Sequence, residues 1–239
     1  MQFLTDFADE AVVLPLIVAI GIALWLLGWR RGALAWIVTA CLTLGAMLVL
    51  KLLAMACGPD HLRTPSGHTA AAAFVTGSLA AILFRARSLP SPPLAQPIAS
   101  SLPSGGKDRP TSSFPRKRES TYGPADTPLR CVAAAITALI GAAIIGFSRL
   151  ALDVHTLPEV LLGAAVGVGG AVGFAWFGGP PPQRLRLQWV AVAIIAALAI
   201  FHGNRLRAES RIWRAAYWIS HDLKICRGVD PKIFLQERP

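Results

Sequence analysis

Apolar residues run through this chain in six blocks, at about residues 11–29, 33–57, from just after His68 to 84, 131–147, 157–177 and 187–201. Several lie near the short end of the roughly 17–25 residues that a spanning helix needs. Inside lipid each segment must satisfy its own backbone polar groups, which helices do and open strands do not. The blocks therefore predict an all-α fold, a bundle of six transmembrane helices.

Composition agrees. Hydrophobic residues make up 54% of the 239 residues and charged ones 15%, against about 25% charged in soluble domains. The mean hydropathy is +0.53. A formal net charge of +10 would raise nucleic acid as a partner in a soluble protein. Here the basic residues fall mostly between apolar blocks and in the tail, so topology accounts for them and no nucleic-acid partner is expected. The four cysteines, Cys41, Cys57, Cys131 and Cys226, have no CxxC and no metal-ligand spacing. Cys41 and Cys131 read as small residues buried within their blocks. No basic stretch precedes the first block, which is expected to be a retained helix rather than a signal peptide.

The connections carry a charge pattern. Arg30 and Arg31 follow the first block. Arg85, Arg87, Lys107, Arg109, Arg116, Lys117, Arg118 and Arg130 lie between the third and fourth, and Arg184 and Arg186 between the fifth and sixth. These connections share one side, cytoplasmic by the positive-inside rule. The N-terminus and the Lys51–His68 and Ser148–Thr156 connections then face outward. The tail after His202 is also basic, yet an even number of spans puts it outside. Its Ile212, Trp213, Tyr217, Trp218 and Ile219 suit a segment lying along the membrane surface.

Residues 88–128 are rich in Pro, Ser and charge and show no apolar period, which predicts a disordered cytoplasmic insertion. The expected division is a membrane domain of residues 1–87 and 129–201, the insertion at 88–128 and an interfacial tail at 202–239. Within the fifth block, Gly163-xxx-Gly167 and Gly169-xxx-Gly173 fit close helix packing in lipid. Seven tryptophans, among them Trp25, Trp29 and Trp189, suit an interfacial belt.

Chemistry concentrates in two segments. In Arg63-Thr64-Pro65-Ser66-Gly67-His68-Thr69, Pro65 ends what precedes, Ser66 can cap a helix and Gly67 admits a ligand close to the backbone. Free N–H groups at a helix start attract phosphate oxygens, and His68 beside them can give a proton to a leaving group. The second segment runs from Ser148-Arg149 through Asp153 and His155 to Glu159. Arg149 offers a planar donor fork suited to phosphate. Glu159, four residues after His155, can meet it on one helix face. A carboxylate on one imidazole nitrogen leaves the other free for nucleophilic attack. Two alternatives stay open: Thr156-Leu157-Pro158-Glu159 also reads as a capping box, and Asp153 is a second carboxylate near His155.

Pro65-Ser66-Gly67-His68 and Ser148-Arg149-x5-His155 resemble the second and third signature motifs of the type 2 phosphatidic acid phosphatase superfamily, which includes membrane lipid phosphatases and vanadium haloperoxidases. The first motif of that family is Lys-x6-Arg-Pro. Here Lys51-x6-Gly58-Pro59 has Gly in place of Arg, and Glu159 stands where the third motif ends in Asp. The resemblance implies a phosphohistidine mechanism without metal or cofactor. His155 would be the nucleophile, oriented by Glu159, and His68 the proton donor. Lys51, Ser66, Gly67 and Arg149 would hold the phosphoryl oxygens, with Arg63 standing in for the missing guanidinium.

The expected function is hydrolysis of phosphomonoester or diphosphate groups on lipids. Membrane lipids are the surroundings, a bacterial-type inner (plasma) membrane the location, and its extracytoplasmic face the place of the site. The sequence sets neither the particular lipid nor the oligomeric state. The leading alternative, motivated by Gly58, is a catalytically degenerate family member that binds anionic lipids. A transporter would show broken helices or an inverted repeat, and the haloperoxidases of the family lack membrane spans.

Overall fold

The computed structural model describes residues 10–57, 64–87, 126–182 and 185–201, together with Ile212, Arg214, Ala215 and Trp218. Among them the secondary structure is wholly helical: α1 (Glu10–Leu26), α2 (Arg30–Cys57), α3 (Gly67–Arg87), α4 (Asp126–Ala151), α5 (Leu157–Phe177) and α6 (Leu187–Phe201). Four spans are long and apolar enough to cross a bilayer, Arg30–Met55, Gly67–Arg85, Thr127–Ala151 and Leu157–Phe177; α1 and α6 are apolar but shorter. The chain is a multi-pass membrane protein with the expected six helices. Residues 88–125 of the expected insertion and nearly all of the tail lie outside the described residues. The insertion's last three positions, 126–128, are already the first turn of α4. Pro128 is compatible there because a helix's first turn has no intrahelical acceptor for its N–H groups.

Arg30 and Arg31, expected in a connection, open α2 instead. The link from α1 closes in a Schellman turn. Gly28 donates to the Trp25 carbonyl at 3.0 Å and Trp29 to the Leu24 carbonyl at 2.9 Å. Gly28 has φ +82°, a conformation glycine adopts without steric cost.

The centre of the bundle is α3 packed on α4 and α5, with α2 against α5 and α3, and α1, paired with α6, against α2. Small residues face inward: Ala70, Ala73, Ala134, Ala138 and Ala171 are buried, while Leu42, Phe147 and Ile195 point out. This suits helices in lipid, where packing rather than water exclusion brings backbones together. A β-carbon on Gly163 would collide with the Ser66 carbonyl, and one on Gly167 with the Ala70 carbonyl, so this pair lets α5 lie directly on α3. The second expected pair does not behave this way. Gly169 faces open space and Gly173 has only ordinary contact with Thr39; Gly170, against the Thr43 hydroxyl, is the close neighbour instead.

Trp36 donates to the Ile17 carbonyl at 2.9 Å and its ring meets Phe74 and Phe174 at 5.1 and 5.6 Å. One side chain thus joins α1, α2, α3 and α5. Trp25 and Trp189 are exposed as a belt requires, but Trp29 is buried. Packed against it, with Phe174 and Gly32, is Arg85, which the sequence placed in a connection and the fold places inside. Its guanidinium lies 5.4 Å from the Trp29 ring centroid and 5.8 Å from that of Phe174. It donates to the Ala175 carbonyl, while Arg31 donates to the Phe177 carbonyl at 3.3 Å. Both arginines meet the open carbonyls at the C-terminal end of α5, where a positive charge complements the helix dipole.

Candidate functional site

At the opposite end of α5 the two chemistry-bearing segments come together. The chain enters α3 through Thr64, Pro65 and Ser66. Ser66 is the N-cap, its Oγ accepting from the Thr69 N–H at 3.4 Å. Its own N–H donates to the Glu159 carbonyl at 3.1 Å. The Ala70 N–H takes the Ser66 carbonyl at 3.2 Å. That leaves the amides of Gly67 and His68, the first two of α3, without an intrahelical acceptor. Lys51, near the end of α2, reaches the same turn: its ammonium stands 3.6 Å from where a β-carbon on Gly67 would lie.

α4 ends by a second Schellman turn just after Ser148-Arg149. Asp153 donates to the Leu150 carbonyl at 3.0 Å and Val154 to the Arg149 carbonyl at 3.2 Å. Asp153 takes φ +54°, the left-handed conformation usually filled by glycine. Its side chain is exposed, and Glu159 rather than Asp153 partners His155. The reversal sends the chain directly into α5, with His155 one residue before the Thr156 cap.

Glu159 makes both of the contacts that the sequence allowed. Its Oε2 lies 3.0 Å from His155 Nδ1 and also accepts the Thr156 N–H at 3.0 Å. The Glu159 side chain is 2% exposed and that of His155 16%, so the carboxylate sits behind the imidazole and the ring stays partly open. With Nδ1 engaged, Nε2 is the nitrogen left for chemistry. His68, half-buried, lies within electrostatic reach of Lys51, Arg149 and His155. Lys51, Gly67, His68, Arg149, His155 and Glu159 thus share one end of the bundle. Gly58, Pro59 and Arg63 lie outside the described residues. Among the described residues no three His, Cys, Asp or Glu side chains gather as metal ligands.

Thr69 escaped the sequence reading. It is fully buried and donates its hydroxyl to Ser66 Oγ at 2.9 Å. The available signal was a threonine at the third helical position after a serine cap.

A model of the PAP2 superfamily matches residues 51–182. This stretch holds every site residue described above, and the chain belongs to that superfamily. Membership supports a phosphatase-type function in general. An uncharacterized 22.5 kDa protein in the cps region of Klebsiella pneumoniae is 30% identical over 89 residues. That alignment covers 35% of this chain and 43% of the relative, so less than half the length of the relative is spanned. No solved structure matches.

Proposed function

We propose that this protein hydrolyses phosphomonoester or diphosphate groups on membrane lipids through a phosphohistidine intermediate. The observation that carries the reading is the His155–Glu159 pair at 3.0 Å, with a second histidine and two cationic side chains around it. His155 Nε2 attacks phosphorus, and the bond to the leaving oxygen breaks. His68 delivers a proton to that oxygen. Water then attacks phosphorus as His68 takes up its proton; the phosphorus–nitrogen bond breaks, and its electron pair returns to His155 Nε2, which regenerates the imidazole. Glu159 holds the ring and stabilises the charge it gains.

Lys51, Arg149 and the amides of Gly67 and His68 face the phosphoryl oxygens, where fixed positive groups stabilise developing charge. Ser66, sealed beneath the turn, supports those amides. In this reading protein donors meet the phosphoryl charge, and no step is routed through a metal. The site lies at the end of the bundle opposite Arg31, Arg85 and Arg130, which by the positive-inside rule is the extracytoplasmic side of a bacterial-type inner membrane. A site at headgroup level favours a lipid substrate.

The test is phosphate release by detergent-purified protein from a panel of lipid phosphates and diphosphates, beside His68→Ala and His155→Ala. Release that disappears in both variants supports the reading. Lipid binding without release from folded protein would favour the degenerate binder that Gly58 motivates.

A further inference from the structure

Four threonines in mid-helix share one arrangement. Thr39, Thr43, Thr76 and Thr137 each return their hydroxyl to the carbonyl four residues back, at 2.7 to 2.8 Å. That is the ordinary resting place for a hydroxyl in an apolar helix. Thr69 instead gives its hydroxyl to Ser66 Oγ at 2.9 Å and its backbone N–H to the same oxygen at 3.4 Å. A serine oxygen has two acceptor lone pairs and one proton. Thr69 alone makes two contacts with that oxygen.

We infer that Thr69 is a positioning residue for the phosphate cradle, which locks Ser66 so that the Ser66-Gly67-His68 turn presents its two amides and its histidine in one fixed arrangement. Three observations support this. Ser66 and Thr69 are both fully buried, so water cannot exchange with either hydroxyl. Two contacts from one residue, through its side chain and its backbone, restrain the Ser66 side chain. The turn is also anchored from outside α3, through the Ser66 N–H on the Glu159 carbonyl. Losing the Thr69 hydroxyl would therefore loosen the cap itself while leaving that anchor in place. Gly146 of α4 closes over Thr69, since a β-carbon there would stand 3.8 Å from its Oγ1 and Cγ2. Thr69 thus packs as a β-branched residue and bonds as a hydroxyl, and the two roles separate by mutation.

The inference rests on the phosphatase reading, and the experiment keeps the two apart. Thr69→Val preserves shape and removes the hydroxyl, Thr69→Ser preserves the hydroxyl and removes a methyl group, and Thr69→Ala removes both. Each is purified in detergent and measured for kcat, KM, orthovanadate affinity and thermal midpoint. Thr69→Val is expected to lose about tenfold in vanadate affinity and in kcat/KM, the size of one buried hydrogen bond. Its midpoint should stay close to that of the parent, and Thr69→Ser should recover most of the loss. Should Thr69→Val fail to fold, Thr69→Ala against Thr69→Ser makes the same comparison. A hydroxyl-free variant with parental vanadate affinity, or a Ser variant as impaired as Val, overturns the inference. A parent protein that releases no phosphate overturns the phosphatase reading instead, and vanadate affinity across the variants still decides the role of Thr69.

Discussion

The backbone N–H of Ser66 donates to the backbone carbonyl of Glu159 at 3.1 Å. This bond joins the turn that presents His68 to the helix start that fixes His155, across 93 residues of sequence including 88–125. The two histidines keep their relation because main chain, rather than side chain, connects their supports. Substitutions at Glu159 therefore test its carboxylate without cutting the link.

Glu159→Gln keeps an oxygen for the Thr156 N–H or for His155 but loses the charge that stabilises an imidazolium. Turnover is expected to fall roughly a hundredfold or more, with little change in thermal midpoint. Glu159→Ala should lose activity similarly and also lose the helix cap, about 1 kcal/mol. For a chain of this size that lowers the midpoint by about 2–4 °C. Equal activity in the parent and Glu159→Gln would sink the orienting role.

Arg149→Lys retains charge but not the planar fork. A single lysine cannot bond two phosphoryl oxygens in the same geometry, so kcat/KM is expected to drop roughly ten- to a hundredfold. Steady-state assays with a lipid phosphate check this. Unchanged kcat/KM would make Arg149 an interfacial anchor.

Gly163 and Gly169 lie in the same helix with opposite surroundings. Gly163→Leu must push α5 away from the Ser66 carbonyl, so both thermal stability and activity should fall sharply. Gly169→Ala points into open space and should leave both near the parental values. A harmless Gly163→Leu would contradict the close α3–α5 contact.

Asp153 holds a left-handed conformation that costs an ordinary residue roughly 1–2 kcal/mol. Asp153→Gly is expected to raise the midpoint by about 1–3 °C with activity retained, and Asp153→Val to lower it. Thermal unfolding in detergent measures both. A drop in midpoint for the glycine variant would mean that the Asp153 side chain makes a contact worth more than the strain it relieves.

Six helices and a site on two segments were legible because both signals are local. An apolar run marks a helix wherever it packs, and Glu159 in the first turn of α5 lies close in sequence to His155, one residue before the cap. What stayed hidden depends on neighbours far along the chain. Arg85 looked like a loop residue because charge normally ends a span; carbonyls of α5 and the Trp29 and Phe174 rings receive it inside. Trp29 looked interfacial, but Arg85, Phe174 and Gly32 pack against it. The glycines of α5 gave the right kind of packing but not which of them α3 would meet, because Gly163, Gly167 and Gly169 differ only in the face they occupy. Thr69 stood at the third position after a serine cap, but the burial that makes this spacing matter comes from α4 and α5, where Gly146 and Gly163 pack against the turn. The start of α4 was misplaced because Asp126, Thr127 and Pro128 read as loop residues, though a helix's first turn accepts all three.

The two ends of α5 carry opposite charge, each matched to its pole. Glu159 accepts the Thr156 N–H in the first turn, while Arg31 and Arg85 donate to the carbonyls of Phe177 and Ala175 at the last. Acid at a helix start and base at its end both complement the dipole. Running the helix the other way would set every one of these charges against its like pole. The contacts that assemble the site thus also give α5 its direction through the bundle.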